Sequence, residues 1–158
     1  MEIKVGEVLF LDTNVLLSAT DESRPSHAGA QCILRYASQG ERHFAISGQV
    51  VREYLVVATR PVNANGLGLD TGSAVGNIDK IRKRTVFFDE TESVSAVLQD
   101  MVADYSIEGK RIHDANVAAT MLANNISKLI TENGSDFTPF DEIETVNIAE
   151  VARLLELV

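Results

Sequence analysis

The sequence predicts an α/β protein in which a parallel β-sheet is covered by helices on both faces. Short apolar runs of strand length alternate with longer segments whose apolar residues recur at helical spacing, and this alternation is typical of such a sheet. The chain has 158 residues, a length that suits one domain, and it contains no internal repeat or low-complexity tract. We therefore expect residues 1–158 to form a single domain.

The composition argues against several classes of protein. Cys32 is the only cysteine, so the chain forms no internal disulfide, which is typical of a reducing compartment. The apolar run near the amino terminus is too short for a signal peptide, and no stretch approaches the roughly 20 apolar residues of a membrane helix. The net charge of −9 argues against general electrostatic capture of nucleic acid, which needs a basic surface. We expect a soluble, cytoplasmic protein that does not bind a membrane.

The first strand ends at the first candidate site residue. Residues 8–11 read VLFL and fit a buried strand, Asp12 follows at its carboxyl end, and Thr13 and Asn14 form a turn before a second apolar run. In open α/β sheets, ligands bind beyond the carboxyl ends of the strands. Asp12 is therefore a candidate functional residue, with a capping role in the following turn as the alternative.

Four further strands and several helices follow in alternation. The strands are predicted at residues 43–46, 85–88, 128–131 and 144–147, and helices at 27–38, after Ser47, and at 73–84, 92–105, 111–125 and 148–155. Ser47 is a good N-cap for the helix that it precedes. The buried arc of that helix is predicted to contain Val50, Val51, Tyr54, Leu55, Val57 and Ala58. Glu53 lies at the edge of this arc, so its carboxylate is held near the core.

A long loop and a basic cluster separate this helix from the third strand. Residues 61–72 are rich in glycine and asparagine and predict a loop of low order, longer than most connections. The helix that follows ends in the only dense positive cluster of the chain, which consists of Lys80, Arg82, Lys83 and Arg84. This basic cluster fits a favourable cationic helix end on a solvated face. A contact with nucleic acid is the alternative.

Two acids of the second half of the chain occupy places comparable to that of Asp12. Asp114 begins the apolar stripe of its helix, because the residues three, four, seven and eight positions later are Val117, Ala118, Met121 and Leu122. Burying an acid at such a position costs free energy, which suggests that Asp114 has a function. An N-cap role is the alternative. Asp136 follows the strand at 128–131 and a polar turn. Asp89 also follows a strand, but the sequence DETES predicts that it caps the next helix.

The four remaining acids, Asp12, Glu53, Asp114 and Asp136, all belong to strand ends or helix starts, which a parallel sheet gathers at one edge. Four converging carboxylates repel one another, so the arrangement is tolerable chiefly if a divalent cation binds among them. Oxygen ligands alone favour Mg²⁺ or Mn²⁺. A carboxylate-bound Mg²⁺ commonly serves phosphate chemistry, and hydrolysis of a phosphodiester follows from this.

Four segments of the sequence together resemble a known family. FLDTNVLL, VVREYLVV, RIHDANVAATMLA and LITENGSDF are similar to the spaced acidic motifs of the PIN-domain ribonucleases, especially the VapC-type toxins, and the similarity covers nearly the whole chain. The resemblance implies a three-layer α/β/α fold with a five-stranded parallel sheet whose third strand lies at an edge. It also implies a Mg²⁺- or Mn²⁺-dependent endoribonuclease that acts on RNA, has a cognate antitoxin and commonly forms homodimers.

The resemblance also implies roles for individual residues. The metal-binding and catalytic acids are implied to be Asp12, Glu53, Asp114 and Asp136. Small polar residues that support these acids in the family match Thr13, Thr131 and Asn133. The chain is longer than many toxins of this type, chiefly through residues 61–72, and it is notably acidic.

Three other functions are compatible with parts of the pattern. A strand that ends in FLDT also begins haloacid-dehalogenase-like phosphatases, in which the Asp is the nucleophile. Those enzymes carry a second Asp two residues later, where this chain has Asn14, and they leave Glu53 and the HDANVAA segment unexplained. A PIN nuclease of RNA processing that is not a toxin, and a PIN fold that only binds, are the remaining alternatives.

Overall fold

The computed structural model describes residues 3–4, 6–39 and 43–156. Its five strands form one sheet in the order β3-β2-β1-β4-β5, and every pair of neighbours is parallel. The strands are β1 (Val8–Leu11), β2 (His43–Ser47), β3 (Val86–Phe88), β4 (Lys128–Ile130) and β5 (Glu144–Val146). The predicted five-stranded parallel sheet is therefore confirmed, as is the edge position of β3.

The strand β1 lies at the centre of the sheet because its sequence can be buried on both faces. Leu9, Phe10 and Leu11 are completely buried, and β1 pairs with β2 on one side and with β4 on the other. A continuous apolar run of this kind is typical of an interior parallel strand. Asp12 follows β1 and is consequently held in the middle of the row that the carboxyl ends of the strands form.

In the described part of the chain, seven helices cover the sheet and give the predicted three-layer α/β/α arrangement. They are α1 (Thr13–Thr20), α2 (His27–Ala37), α3 (Gly48–Thr59), α4 (Thr71–Arg82), α5 (Glu92–Asp104), α6 (Arg111–Ala123) and α7 (Ile148–Glu156). The helix α2 packs against α1 and α7, α3 packs against α1 and α4, and α5 packs against α6. Across the described residues, no helix combines the length and the apolar character that crossing a membrane requires.

The end of α1 contacts α3, and the buried face of α3 differs from the prediction. The helix α1 extends as far as Thr20, whose hydroxyl bonds to the Leu16 carbonyl and to the Tyr54 hydroxyl. In α3, Val50, Tyr54 and Ala58 are fully buried. The predicted arc is wider than the observed one, because Val51, Leu55 and Val57 are only partly buried.

One predicted helix cap is wrong, and another lacks its hydrogen bond. Ser47 occupies the predicted N-cap position of α3, but its hydroxyl makes no capping hydrogen bond and is buried without a partner in the part of the chain that the structure describes. Ser47 also ends β2, where it pairs in register with Phe88. The cap of α5 is Thr91, whose hydroxyl accepts from the Val94 backbone N–H at 3.4 Å. Asp89 lies too far upstream of α5 for this role.

The loop after α3 is ordered by its own backbone, so the prediction of low order is wrong. It contains a 3-10 helix, Val62–Ala64, and the backbone N–H groups of Leu67 and Leu69 donate to carbonyls of Val57 and Ala58 at the end of α3. Asparagine and glycine therefore serve a tight reversal here, with Asn65 in the left-handed region at φ 61°. The loop packs back on the helix that precedes it.

The basic cluster lies away from the predicted acidic site. It ends α4 and immediately precedes β3, whereas Asp12 follows the carboxyl end of β1. Because all the strands are parallel, the basic cluster lies toward the amino ends of the strands, whereas Asp12 lies at their carboxyl ends. The Arg82 guanidinium lies 4.5 Å from the centre of the Phe87 ring, which is a cation–π contact. This placement favours the interpretation of the cluster as a solvated helix end.

The glycines Gly66 and Gly76 provide a test of the loop and of α4. A Cβ atom at Gly66 would lie 2.0 Å from the Arg60 carbonyl oxygen, whereas one at Gly76, inside α4, would meet no atom within 4 Å. We expect Gly66→Ala to destabilise the protein by about 1–3 kcal/mol, because the backbone must move. Gly76→Ala should stabilise it by up to about 1 kcal/mol through helix propensity. Urea denaturation measures both effects, and equal stability of the two variants would contradict the packing of this loop.

Candidate active site

Asp12 is fixed by three neighbours at the carboxyl end of β1. One carboxylate oxygen accepts from the Thr13 backbone N–H at 2.7 Å. The other accepts from the Thr131 hydroxyl at 2.6 Å and from the Asn14 side-chain amide at 2.9 Å. Burial raises the pKa of Asp12, and the nearby Glu53 carboxylate raises it further, while these hydrogen bonds act in the opposite direction. The carboxylate is therefore oriented rigidly but at an electrostatic cost.

Glu53 is held on α3 by two donors, one on each carboxylate oxygen. The Thr13 hydroxyl donates to one oxygen at 2.9 Å, and the Gln49 side-chain amide donates to the other at 2.8 Å. Thr13 therefore connects the two acids, because its backbone contacts Asp12 and its side chain contacts Glu53. Both Thr13 and Gln49 are buried, with 7% and 2% of their surface exposed.

Asp114 lies in the first turn of α6, as the sequence predicts, and is half-buried. Burial raises its pKa, and the carboxylates of Asp136, Asp12 and Glu53 raise it further, to about 6, while His113 acts in the opposite direction. Each of the other three acids thus acts electrostatically on Asp114. The N-cap alternative is excluded, because Lys110 occupies the position before the helix.

Asp136 is carried by a 3-10 helix, Gly134–Phe137, after β4. Its backbone N–H donates to the Asn133 carbonyl at 3.0 Å, and the Asn133 backbone N–H donates in turn to the Thr131 hydroxyl at 3.0 Å. Thr131 therefore contacts both the Asp12 carboxylate and the turn that carries Asp136. Asn133 contacts this turn through its backbone, and Asp136 itself is exposed.

The structure brings the four predicted acids to one edge of the sheet, but not into contact with a common point. Within residues 3–4, 6–39 and 43–156, no three side chains of His, Cys, Asp or Glu are arranged to hold a metal ion. The donor set nevertheless fits a hard divalent cation in chemistry and charge. All four acids offer oxygen ligands, and burial together with the charges of the other three acids raises the pKa of Asp114. Coordination would require the carboxylates to approach one another more closely.

Sequence reasoning missed three residues of this site. Asn14 donates to Asp12 and to the Thr131 hydroxyl at 3.0 Å, and its carbonyl oxygen accepts from the Glu132 backbone N–H at 3.2 Å. Gln49 contacts Glu53, and Asn116 contacts Gln49 at 2.6 Å. Helical spacing could have found Gln49, which lies four residues before Glu53. Asn14 and Asn116 have no such spacing from an acid, and only the tertiary structure shows their contacts.

The sequence of this chain matches a known family, and its structure is similar to those of known proteins. A family model described as PIN domain matches residues 9–145. No curated protein matches the sequence significantly. The structure is similar to that of DNA-bound VapBC from Salmonella typhimurium, with a TM-score of 0.67 at 14% identity over 90% of this chain and 98% of the other.

Two further structures show the same fold. VapBC2 from Rickettsia felis, bound to a DNA fragment from its promoter, gives a TM-score of 0.66 at 17% identity over 89% of this chain and 98% of the other. VapC20 from Mycobacterium tuberculosis, described as a sarcin-ricin loop cleaving toxin, gives 0.63 at 14% identity over 84% and 95%. At these identities the likeness establishes a shared fold.

The raised pKa of Asp114 predicts how pH affects stability. The folded protein binds this proton more tightly than the unfolded chain, whose aspartates titrate near pH 4, so stability should rise as pH falls from about 6 to about 4. Asp114→Asn removes the charged form. The variant should therefore be at least as stable as the wild type at pH 7.5, and its relative advantage should shrink at pH 4.5.

Thermal unfolding of both proteins in EDTA at the two pH values measures this difference. The other acids are common to both proteins, so the wild type serves as the reference at each pH. A variant that is clearly less stable than the wild type at pH 7.5, or an advantage that grows on acidification, would contradict the electrostatic strain at Asp114.

Proposed function

Because this chain belongs to the PIN-domain family, we propose that it is an endoribonuclease that hydrolyses RNA phosphodiester bonds with Mg²⁺ or Mn²⁺. The observation that carries the proposal is the electrostatic coupling of Asp114 to Asp12, Glu53 and Asp136 at one sheet edge. Burial and the neighbouring carboxylates disfavour the charged forms of Asp114 and Asp12, and a bound cation would offset this cost. A purely structural set of acids would gain nothing from the arrangement.

In this proposal the four acids bind the metal ion, and neighbouring residues orient their carboxylates. Asp12, Glu53, Asp114 and Asp136 would hold the cation, which, when bound, activates a water molecule and offsets charge on the phosphoryl oxygens. Thr131 keeps the Asp12 carboxylate in one orientation. Thr13 contacts both Asp12 and Glu53 and so fixes the position of one carboxylate relative to the other. Hydrogen bonds of this kind hold ligands at the geometry that a metal requires.

We also propose that the protein is the toxin of a type II toxin–antitoxin pair. Support comes from its fold, because the similar structures from Salmonella typhimurium and Rickettsia felis are VapBC complexes, and almost the whole of each compared chain is covered. The cognate antitoxin would be a second protein. A nearby gene that encodes a small DNA-binding protein would favour this role over a PIN nuclease of RNA processing.

A homodimer belongs to the same proposal. Val56 on α3, Val62 in the following loop and Val75 on α4 are large apolar side chains that are exposed by 51%, 72% and 49%. They lie on consecutive elements, and α3 packs against α4, so one partner surface could cover them. Burial of exposed apolar surface of this kind stabilises subunit association.

The phosphatase alternative is less well supported than the nuclease. Asn14 occupies the position at which that class needs its second acid, and its amide donates to the Asp12 carboxylate. Asn14 therefore offers an amide where that class requires a carboxyl group. The match of the PIN family model to residues 9–145 points in the same direction.

The first test of the proposed function is the loss of nuclease activity on removal of a single charge. Asp12→Asn and Asp114→Asn should each lower the rate of RNA cleavage in Mn²⁺ by at least about 100-fold, because the metal loses a charged ligand while the shape of the side chain is kept. Cleavage of a labelled single-stranded RNA measures the rate. EDTA should abolish the activity of the wild type, and added Mn²⁺ should restore it.

Thermal unfolding controls for the fold of both variants, and a phosphomonoester substrate controls for the reaction class. Near wild-type cleavage by either variant would disprove the site assignment. Metal-dependent hydrolysis of small phosphomonoesters but not of RNA would favour the phosphatase, and binding of RNA without any cleavage would favour a binding module. Expression of the wild type, but not of Asp12→Asn, should arrest growth if the protein is a toxin.

The second test concerns stability. A cation that binds only the folded protein adds about 2.7 kcal/mol at a hundredfold excess over its Kd. For a chain of this length this corresponds to a rise of roughly 5–10 °C in Tm. Millimolar Mn²⁺ should therefore raise the Tm of the wild type, whereas Asp136→Asn should show a smaller rise and an equal or higher Tm in EDTA.

Scanning calorimetry of both proteins in EDTA and in Mn²⁺ makes this comparison, with Ca²⁺-free buffers throughout. If the wild type does not respond to Mn²⁺, the four carboxylates do not form a metal site. An equal response of Asp136→Asn would remove Asp136 alone from it.

A further inference from the structure

A buried glutamine connects the two helices that carry Glu53 and Asp114. The Gln49 amide nitrogen donates to the Glu53 carboxylate at 2.8 Å and to the His113 backbone carbonyl at 2.9 Å. Its carbonyl oxygen accepts from the Asn116 amide at 2.6 Å. Gln49 therefore binds α6 at the residue before Asp114 and at the residue two positions after it.

The orientation of the Gln49 amide is fixed by its surroundings. Its nitrogen faces two acceptors, a carboxylate and a backbone carbonyl, and its oxygen faces a donor, the Asn116 amide. The reversed amide would place its oxygen against the Glu53 carboxylate. Only 2% of Gln49 is exposed, so water cannot readily substitute for these partners, and loss of any of them would leave a buried polar group unpaired.

The chain of hydrogen bonds continues to the edge of the sheet. The Asn116 amide nitrogen also donates to the Glu90 carboxylate at 2.7 Å. Because both of its hydrogens are used on acceptors, Asn116 is held between Glu90 and Gln49 and presents a donor to Gln49. Hydrogen bonds through Asn116 and Gln49 in this way connect Glu90, which follows β3, to Glu53.

Within the described residues, α3 and α6 are not major packing partners, and this polar bridge connects them directly. The main helical partners of α3 are α1 and α4, whereas α6 packs chiefly against α5 and the 3-10 helix that carries Asp136. Side-chain hydrogen bonds therefore contribute to the relative position of Glu53 and Asp114. Gln49 contributes its contacts with His113 and Asn116.

We propose that Gln49 is a positioning residue, which sets the spacing of Glu53 and Asp114 for metal binding, with Asn116 fixing the orientation of its amide. The inference rests on the proposed function, because it assumes that these two acids share a cation. It goes further by assigning metal affinity to two residues that carry no charge. A shift of about 1 Å between two ligands is enough to weaken a site of this kind.

The test compares Gln49→Met with Tyr54→Phe. Methionine has a length similar to that of glutamine but donates no hydrogen bond, so Gln49→Met should raise the Kd for Mn²⁺ by about 10- to 100-fold. The Mn²⁺ concentration for half-maximal RNA cleavage should rise in parallel. Tyr54 is a matched control, since it is also buried on α3 and loses hydrogen bonds to Thr20 and Asn77 in the variant. Among the described residues, its hydroxyl forms no hydrogen bond with any of the four acids, so Tyr54→Phe should lower Tm without changing Mn²⁺ affinity.

Isothermal titration calorimetry with MnCl₂ alone measures binding without any reaction, and thermal unfolding in EDTA measures the cost to the fold. An unchanged Kd for Gln49→Met would overturn the inference, even if this variant is less stable than the wild type. The same shift of Kd in Tyr54→Phe would also overturn it, because general loosening of α3 would then be the cause. Absence of Mn²⁺ binding by the wild type would instead reject the proposed function.

Asn116→Leu keeps the test decisive if Gln49→Met does not fold. Leucine preserves the approximate shape of asparagine but removes the donor that orients the Gln49 amide, so the Kd for Mn²⁺ should rise, by less than in Gln49→Met. The effects of the two substitutions should be less than additive in the double variant, because both act through one chain of contacts. Wild-type affinity in Asn116→Leu would overturn the part of the proposal that concerns Asn116, and additive effects would show that the residues act independently.

Discussion

Repulsion between carboxylates at one edge of the sheet is the constraint on which the rest of the candidate site depends. Burial and the three neighbouring acids together raise the pKa of Asp114 to about 6, and burial and Glu53 raise that of Asp12. A folded protein tolerates such a set only if donors are aimed at the acids. The polar residues around the site follow from this requirement: Thr13, Asn14, Gln49 and Thr131 all donate to Asp12 or Glu53.

The fold supplies these donors because each belongs to an element that begins or ends at the same edge. Thr13 starts α1, directly after β1, and Thr131 follows β4, the neighbour of β1 on one side. Gln49 lies in the first turn of α3, after β2, the neighbour on the other side. The parallel sheet thus aligns three strand ends, and short side chains reach across them. Asp114 and Asp136 are carried by α6 and by the 3-10 helix after β4, which pack against each other.

The sequence predicted what depends on apolar periodicity and could not predict what depends on long-range polar contacts. The apolar run of β1 predicts a buried strand, and the stripe that begins at Asp114 predicts an inward-facing acid; both are observed. The Gln49 to His113 contact joins residues 64 positions apart, and neither residue belongs to a pattern that pairs them. Local preference predicts caps at Ser47 and Asp89. Ser47 lies at the N-cap position but its hydroxyl makes no capping hydrogen bond, and Thr91 instead of Asp89 caps α5. Tertiary structure overrides local preference at such places.

The charge distribution limits how a nuclease of this shape could hold RNA. The net charge is −9, and the basic cluster lies toward the sheet edge opposite to the one that gathers the acids. General attraction of phosphates to the whole protein is therefore weak. Affinity at the candidate site would depend in part on the bound cation, which would bring positive charge to the place where phosphate must be held. On this view the metal contributes to substrate binding as well as to hydrolysis, and any residue that sets metal affinity, as proposed for Gln49, also sets the affinity for RNA.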